Sequence, residues 1–284
     1  MKRTFIFLPI AIVSFALAQD AITLRRTFTD DQIEKFKVKG EHLIKVESDG
    51  EEFETSLSLT NNRIFTFNKV DKDGNASIRV EDVDYEGTES AEGETTKIDN
   101  PEFYEETFTA KVNPFMELTE IVVKEAMPSE DESADEVDPI SDVLESGNLS
   151  KYYLTLPSKG VKPGDGWTIP LKNEKIFKPN QSMKGKFRGR EKWEDQDVIV
   201  LEFTAAVEIN VNLDEYDNGK PAFPDVSGAK LTGQIDDKAT VYLNPKDYSI
   251  LFCTDKLAMT VEFKSTDANL SMKIKGEEEM RRTK

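Results

Sequence analysis

The sequence is short of the residues that carry most protein chemistry. Its 284 residues include one Cys, one His and two Trp, and its 37 basic side chains are outnumbered by 55 acidic ones, a formal net charge of −18. A single Cys, Cys253, excludes an intrachain disulfide. A single His, His42, argues against a zinc site of the usual His and Cys composition. The acidic excess argues against nucleic acid as a partner and against an anionic membrane surface, because phosphates are repelled by net negative charge. The chain has no Gly-x-Ser-x-Gly elbow, no phosphate-binding Gly-Lys-Ser/Thr loop and no His-Glu-x-x-His motif. A Ser-His-Asp triad would have to use His42, which sits in a strand-like run. After residue 18 no apolar run is long enough to span a bilayer.

What is present is enough apolar material for a core and a clear address. Leu, Ile, Val and Phe supply 73 of 284 residues, above the level at which highly charged chains fail to fold. Lys2 and Arg3 precede an apolar stretch from Phe5 to Ala16, and Ala16-Leu17-Ala18 is a small-x-small cleavage site. This reads as a secretory signal peptide over residues 1–18, cut after Ala18. Gln19 follows the cut rather than Cys, so no lipid anchor is expected. The expected location is the periplasm or the extracellular space. Cys253, in the strand-like run Ser249 to Thr254, reads as a buried small hydrophobe. The sharper readings are an intermolecular disulfide, or a nucleophile with His42 as its base.

The patterning predicts a mostly β protein. Residues 19–124 form an N-terminal β-rich half, 125–156 an acidic linker with short helices, and 157–284 a C-terminal β-rich half. Strands are expected over 21–28, 36–46, 53–59, 63–70, 76–85, 104–112 and 118–124, with a loop over 88–100. In the second half strands are expected over 183–193, 198–213, 228–243, 249–263 and 269–275, and residues 277–284 are expected to fray. From Ile199 to Leu213 every odd position is apolar, a long strand with one face on the core. A helical insert is predicted near 139–156, with Asp138 as N-cap, Pro139 at the first helical position and Gly147 as a stop. The fold class is two antiparallel sheet-rich halves, as curved sheets or a partial barrel.

The segment Leu156-Pro-Ser-Lys-Gly-Val-Lys-Pro-Gly-Asp-Gly-Trp167 resembles the Leu-Pro-x-x-x-Val-x-x-Gly-Asp-x-Trp signature of a domain-of-unknown-function family of exported bacterial proteins. The likeness extends over residues 138–213, and the hairpin Val70 to Ile78 is similar to that family's first half. Many relatives carry a lipoprotein Cys or a hydroxyl residue after Gly-Asp; this chain has neither, with Gly166 at the second position. The resemblance implies a fold and an exported location, and no chemistry. Read physically, Gly164 and Asp165 make a tight turn and Trp167 plugs the core behind it. Sugar stacking on Trp167 is the alternative.

Two constellations invite binding. Lys184, Lys186, Arg188, Arg190 and Lys192 share one parity, so on a strand they form a basic stripe for phosphate, carboxylate or an acidic glycan, or else cross-strand partners for Glu202 and Glu208. Asp71, Asp73 and Asn75 begin an EF-hand-like spacing that continues through Ser77 and Asp82. Against calcium stand Ala76 where the bend needs Gly, and flanks of period two. No cofactor is expected. The reading is an exported, non-catalytic envelope protein that binds an unknown ligand or protein or acts structurally. A carrier of an apolar ligand in a half-barrel and a carboxylate-dependent hydrolase are the alternatives.

Overall fold

The computed structural model describes residues 20–48, 50–98, 106–124, 154–171, 176–213, 228–265 and 269–283. These contain twelve strands: β1 (Gln32–Ser48), β2 (Glu51–Asn68), β3 (Ala76–Ala91), β4 (Glu94–Lys97), β5 (Glu106–Val112), β6 (Leu118–Lys124), β7 (Gly166–Pro170), β8 (Ser182–Trp193), β9 (Gln196–Asn212), β10 (Lys230–Leu243), β11 (Ile250–Lys264) and β12 (Asn269–Arg282). All pairings are antiparallel, in one sheet of order β6-β5-β3-β2-β1-β12-β11-β10-β9-β8-β7, with β4 folded onto the end of β3. The protein is mostly β, as its alternation predicts. The two expected halves are wings of a single sheet, joined where β1 pairs with β12 from Phe36↔Arg282 to Ser48↔Leu270.

That junction explains one error in the sequence reading. Residues 277–282 do not fray. They continue β12 between β1 and β11, so both edges of this charged segment are hydrogen-bonded. The expected loop over 88–100 is also corrected, because β3 runs to Ala91 and turns into β4. Glu92 (φ 53°) and Gly93 (φ 85°) supply the two left-handed residues of a tight hairpin. This hairpin is polar on both faces, so backbone ladders hold it and no apolar alternation reveals it. Where β9 alternates, the structure follows: Leu201, Phe203, Ala205, Val207, Ile209 and Val211 are buried and the even-numbered residues between them face outward.

The expected strand over 21–28 is extended but joins no sheet edge. It makes an isolated bridge, Ile22↔Val161, and Arg26 donates its backbone N–H to Pro114 C=O at 2.8 Å. Leu24, Arg26 and Phe28 are nonetheless buried. The segment is a strap held by alternate side chains rather than by a ladder. The helical insert over 139–156 is not supported: its described end, Leu154–Leu156, is not helical, and Leu156 donates to Phe115 C=O at 2.7 Å. The rest of that prediction, like the signal peptide and the linker core, lies outside the described residues.

The core has two parts. One gathers β8 to β11 with Leu24, Phe36, Leu156 and Val161. The other gathers Phe28, Phe67, Ile78, Val80, Phe108 and Val112 from the first wing. The two ends of the sheet, β6 and β7, line one cleft, so the sheet curls toward itself without a β6–β7 ladder.

Candidate functional site

The inner face of the curled sheet carries charge where the alternation calls for apolar residues. Arg63 on β2 lies opposite Asp82 on β3. Its Nε and Nη2 donate to Asp82 Oδ1 and Oδ2 at 2.7 and 2.9 Å, and its Nη1 reaches Glu278 Oε1 at 3.2 Å. Arg63 and Asp82 are 7% and 2% exposed, so the pair is desolvated. Burial works against the guanidinium's charge, but Asp82 and Glu278 outweigh it and hold Arg63 well above its ordinary value. A second ionic group sits beneath the strap. Arg26 pairs with Glu34, which also accepts from Gln32 at 3.0 Å and pairs with Arg282 at 3.1 Å. The Arg26 guanidinium lies 4.8 Å from the Phe67 ring centroid and 5.2 Å from that of Phe28. Arg26, Arg63, Phe65, Phe67, Cys253 and Met280 are among the walls of an internal cavity of ≈ 70 Å³ between the two core parts.

The register continues this polar band across the second wing. Asp255 lies opposite Glu278, and Asp237 on β10 is buried one row away. His42 lies opposite Gly276. A Cβ on Gly40 would come within 2.8 Å of the imidazole, and one on Gly276 within 2.6 Å. Two glycines therefore leave the space that the ring fills. Burial, the largest influence, pushes His42 below its ordinary 6.5, while Glu278, Glu41 and Asp255 oppose the shift. The folded state thus holds fewer protons than the unfolded chain just below pH 6.5. His42 stabilises the fold fully above that pH, and its contribution falls as the pH drops through the depressed folded value. Thermal melts between pH 7.5 and 5, run alongside His42→Gln, are expected to show an acid-side fall that is smaller in the variant. Equal falls in both proteins would refute the assignment.

The cleft at the sheet's ends is larger, ≈ 850 Å³, and is lined by Leu118, Ile121, Leu156, Val161, Trp167 and Ile169 among others. The signature residues build its β7 side. Gly164 (φ 95°) donates to Phe187 C=O at 2.7 Å. Asp165 Oδ2 accepts from the Lys162 N–H at 2.8 Å, and Phe187 N–H returns a bond to Asp165 C=O at 2.9 Å. Trp167 donates Nε1 to Thr155 C=O at 2.8 Å and meets Phe203 edge-on at 5.7 Å.

The other predicted residues are placed as follows. Lys184, Lys186, Arg188 and Arg190 are all exposed on β8. Arg188 pairs with Glu202 at 2.7 Å, and Lys192 with Asp197 at 2.9 Å. A β-bulge between Phe187 and Gly189 then breaks the shared parity. Beyond it Arg190 lies opposite Ile199, an inner-face core residue, so Arg190 is out of step with Lys184 and Lys186. The same bulge places Trp193 with Tyr242 and Phe252 on the outer face, stacked on Phe252 at 5.1 Å with Arg281 over both rings. Asp71, Asp73 and Asn75 form a loop closed on itself between two strands. Asp71 Oδ1 accepts from the N–H groups of Asp73 and Asn75 at 2.8 and 2.9 Å, and Oδ2 from Asn75 Nδ2 at 2.9 Å. These bonds hold the Asp71 carboxyl below its ordinary range. Cys253 is buried, and desolvation first, then nearby carboxylates, push its thiol well above its ordinary 9.0, the wrong direction for a nucleophile. Among the described residues no cluster of three or more His, Cys, Asp or Glu is arranged to hold a metal ion. None of their helices is long and apolar enough to cross a membrane.

Sequence reasoning missed Arg26, Glu34, Arg63 and Glu278, and it read Asp82 as the end of a calcium-like spacing, whereas Asp82 accepts from Arg63. The available signal was charge at inward positions, with Arg63 in step with Phe65 and Phe67.

No family model matches the chain, and no curated protein matches it. Solved structures that it resembles include a DUF1329 family protein from Desulfovibrio piger, at 9% identity over 84% of this chain and 83% of that one, with a TM-score of 0.17. Another is the MucA/MucB complex of Pseudomonas aeruginosa, at 9% identity over 87% of this chain and 89% of that one, with a TM-score of 0.10.

Proposed function

We propose that this is an exported, non-catalytic envelope protein that holds an apolar ligand in the cleft between the ends of its curled sheet. The observation that carries this reading is the cleft itself. Its ≈ 850 Å³ falls within the range of small-molecule sites, and Leu118, Ile121, Leu156, Val161, Trp167 and Ile169 give it apolar walls beside polar ones that include Glu117, Glu120 and Lys159. Export is supported by the charged, apolar and small-residue order of residues 1–18. The raised Cys253 thiol argues against thiolate chemistry.

Native mass spectrometry of the protein purified gently from its own host is the first test, and a co-purifying lipid-sized mass is the expected result. N-terminal sequencing of the same material should begin at Gln19. Binding is then followed with cis-parinaric acid. Ile121 is 42% exposed and lines the cleft, so Ile121→Arg should fold normally and weaken the probe. A bare protein that also ignores the probe would end the carrier reading. The carboxylate-hydrolase reading has one observation of its own, Asp255 directly opposite Glu278 on the inner face. It predicts a hydrolytic activity that Asp255→Asn abolishes.

A further inference from the structure

The internal cavity between the two core parts adjoins the cleft, and Leu118 is a wall of both. Most of the cavity's walls are apolar, but Arg26, Arg63, Asp255 and Glu278 are among them. Two cations and two carboxylates leave these walls in balance, so they offer no net charge to an ion. Arg63 is held by Asp82 and Glu278. Arg26 is not fully engaged. Its Nη2 meets Glu34, and its Nη1 reaches only the Met116 thioether at 3.5 Å, a weak acceptor. Its Nε, in a residue that is 2% exposed, has no hydrogen-bond partner among the described residues. Leaving a buried donor unpaired is costly, most of all on a charged group. The strap thus brings an unmet N–H to a largely apolar cavity beside the cleft.

We infer that this cavity is the inner end of the cleft's binding site and takes the hydroxyl end of an uncharged long-chain lipid, such as a fatty alcohol, with the hydroxyl oxygen accepting from Arg26 Nε. This ligand class rests on the carrier reading, since the chain lies in the cleft, and it adds the ligand's polar group and its direction. Nε can only donate, so the group that meets it must accept. Asp255 and Glu278 share the cavity, so a carboxylate end would be repelled, whereas a hydroxyl can also donate to a carboxylate. A bare alkyl end would leave the donor unmet. The cavity's ≈ 70 Å³ is well below the size of a small-molecule site and holds an end group, not a chain. The chain therefore passes Leu118 into the ≈ 850 Å³ cleft. Leu118 is only partly buried, at the first position of edge strand β6, where a change of rotamer displaces little packing.

The test is displacement of the neutral fluorophore N-phenylnaphthylamine from the purified protein by decanol, decanoate and decene. Decanol should compete roughly tenfold or more better than decene, the gain expected of a hydrogen bond from a charged donor, and better than decanoate. Cys253 is a wall of the cavity and not of the cleft, so Cys253→Leu fills the one and leaves the other. The variant should melt no lower than the parent, as cavity filling is commonly stabilising. It should bind the fluorophore as before and lose decanol's advantage over decene. Equal competition by decanol and decene in the parent protein overturns the inference and leaves the carrier reading standing, because ligands then bind without meeting Arg26. Decanoate competing best would mean an acid site and overturn the neutral assignment. An undiminished advantage in Cys253→Leu would put the hydroxyl elsewhere and overturn it too. A much lower melting temperature for Cys253→Leu would show a cavity without room for a ligand group, with the same result. A protein that binds neither the fluorophore nor, by calorimetry, decanol ends the carrier reading and this inference together.

Discussion

Replacing Arg63 by alanine is expected to cost about 3–5 kcal/mol of unfolding free energy, the usual consequence of stranding a buried charge. The side chain makes two bonds to Asp82 and one to Glu278, and Asp82 is 2% exposed. Removing the guanidinium takes from Asp82 and Glu278 the cation that joins them, with burial and mutual repulsion both opposing their charge. Urea titration should show a lower midpoint with an unchanged slope. The double change Arg63→Met with Asp82→Leu should cost less than Arg63→Ala alone, since apolar replacement of a whole buried pair is often close to neutral. A loss below about 1 kcal/mol for Arg63→Ala would place the pair in the range of solvated surface bridges and contradict its buried geometry.

Gly185→Ala is expected to cost about 2–3 kcal/mol, in the upper range for overpacking. An added Cβ would stand 2.2 to 2.6 Å from three atoms of the Trp167 indole. The ring has little freedom to yield. Its Nε1 is bonded to Thr155, its edge faces Phe203, and β7 holds its backbone opposite Gly185. The variant should therefore melt lower and show altered tryptophan emission as the indole is displaced. If both melting and emission match the parent protein, Trp167 does not lie flat over Gly185.

Much of the fold was legible because water sits on one side of each long strand. From Ile199 to Leu213 the apolar parity is unbroken, and β9 follows it. The hairpin between β8 and β9 was legible for the same reason, from the strands expected over 183–193 and 198–213. Reading failed where backbone pairing works without an apolar face. The β3–β4 hairpin and the end of β12 are charged on both sides, yet each forms ladders. It failed again where one extra residue reverses parity. A single bulge after Phe187 takes Arg190 out of the basic stripe and brings Trp193 onto Tyr242 and Phe252. Composition cannot locate a bulge, because local twist and cross-strand register decide it.

The inner ionic band shows the same division. Arg63 lies in an alternating strand, so its inward parity was fixed by its neighbours Phe65 and Phe67. Its partners could not be read, because Asp82 comes from the next hairpin and Glu278 lies 215 residues away. They meet because β1 and β12 pair, and that pairing depends on how the two wings close.

By itself, the sequence determined the strand-rich class, the inward and outward faces of the long strands, and the export-type leader pattern. These follow from local order: period-two burial, turn residues and the succession of charge and apolarity. Only the tertiary structure decided that the two wings are one sheet and that Arg63 has buried partners. Those outcomes depend on register between strands far apart in the chain, where a shift of one residue would turn every side chain to the other face.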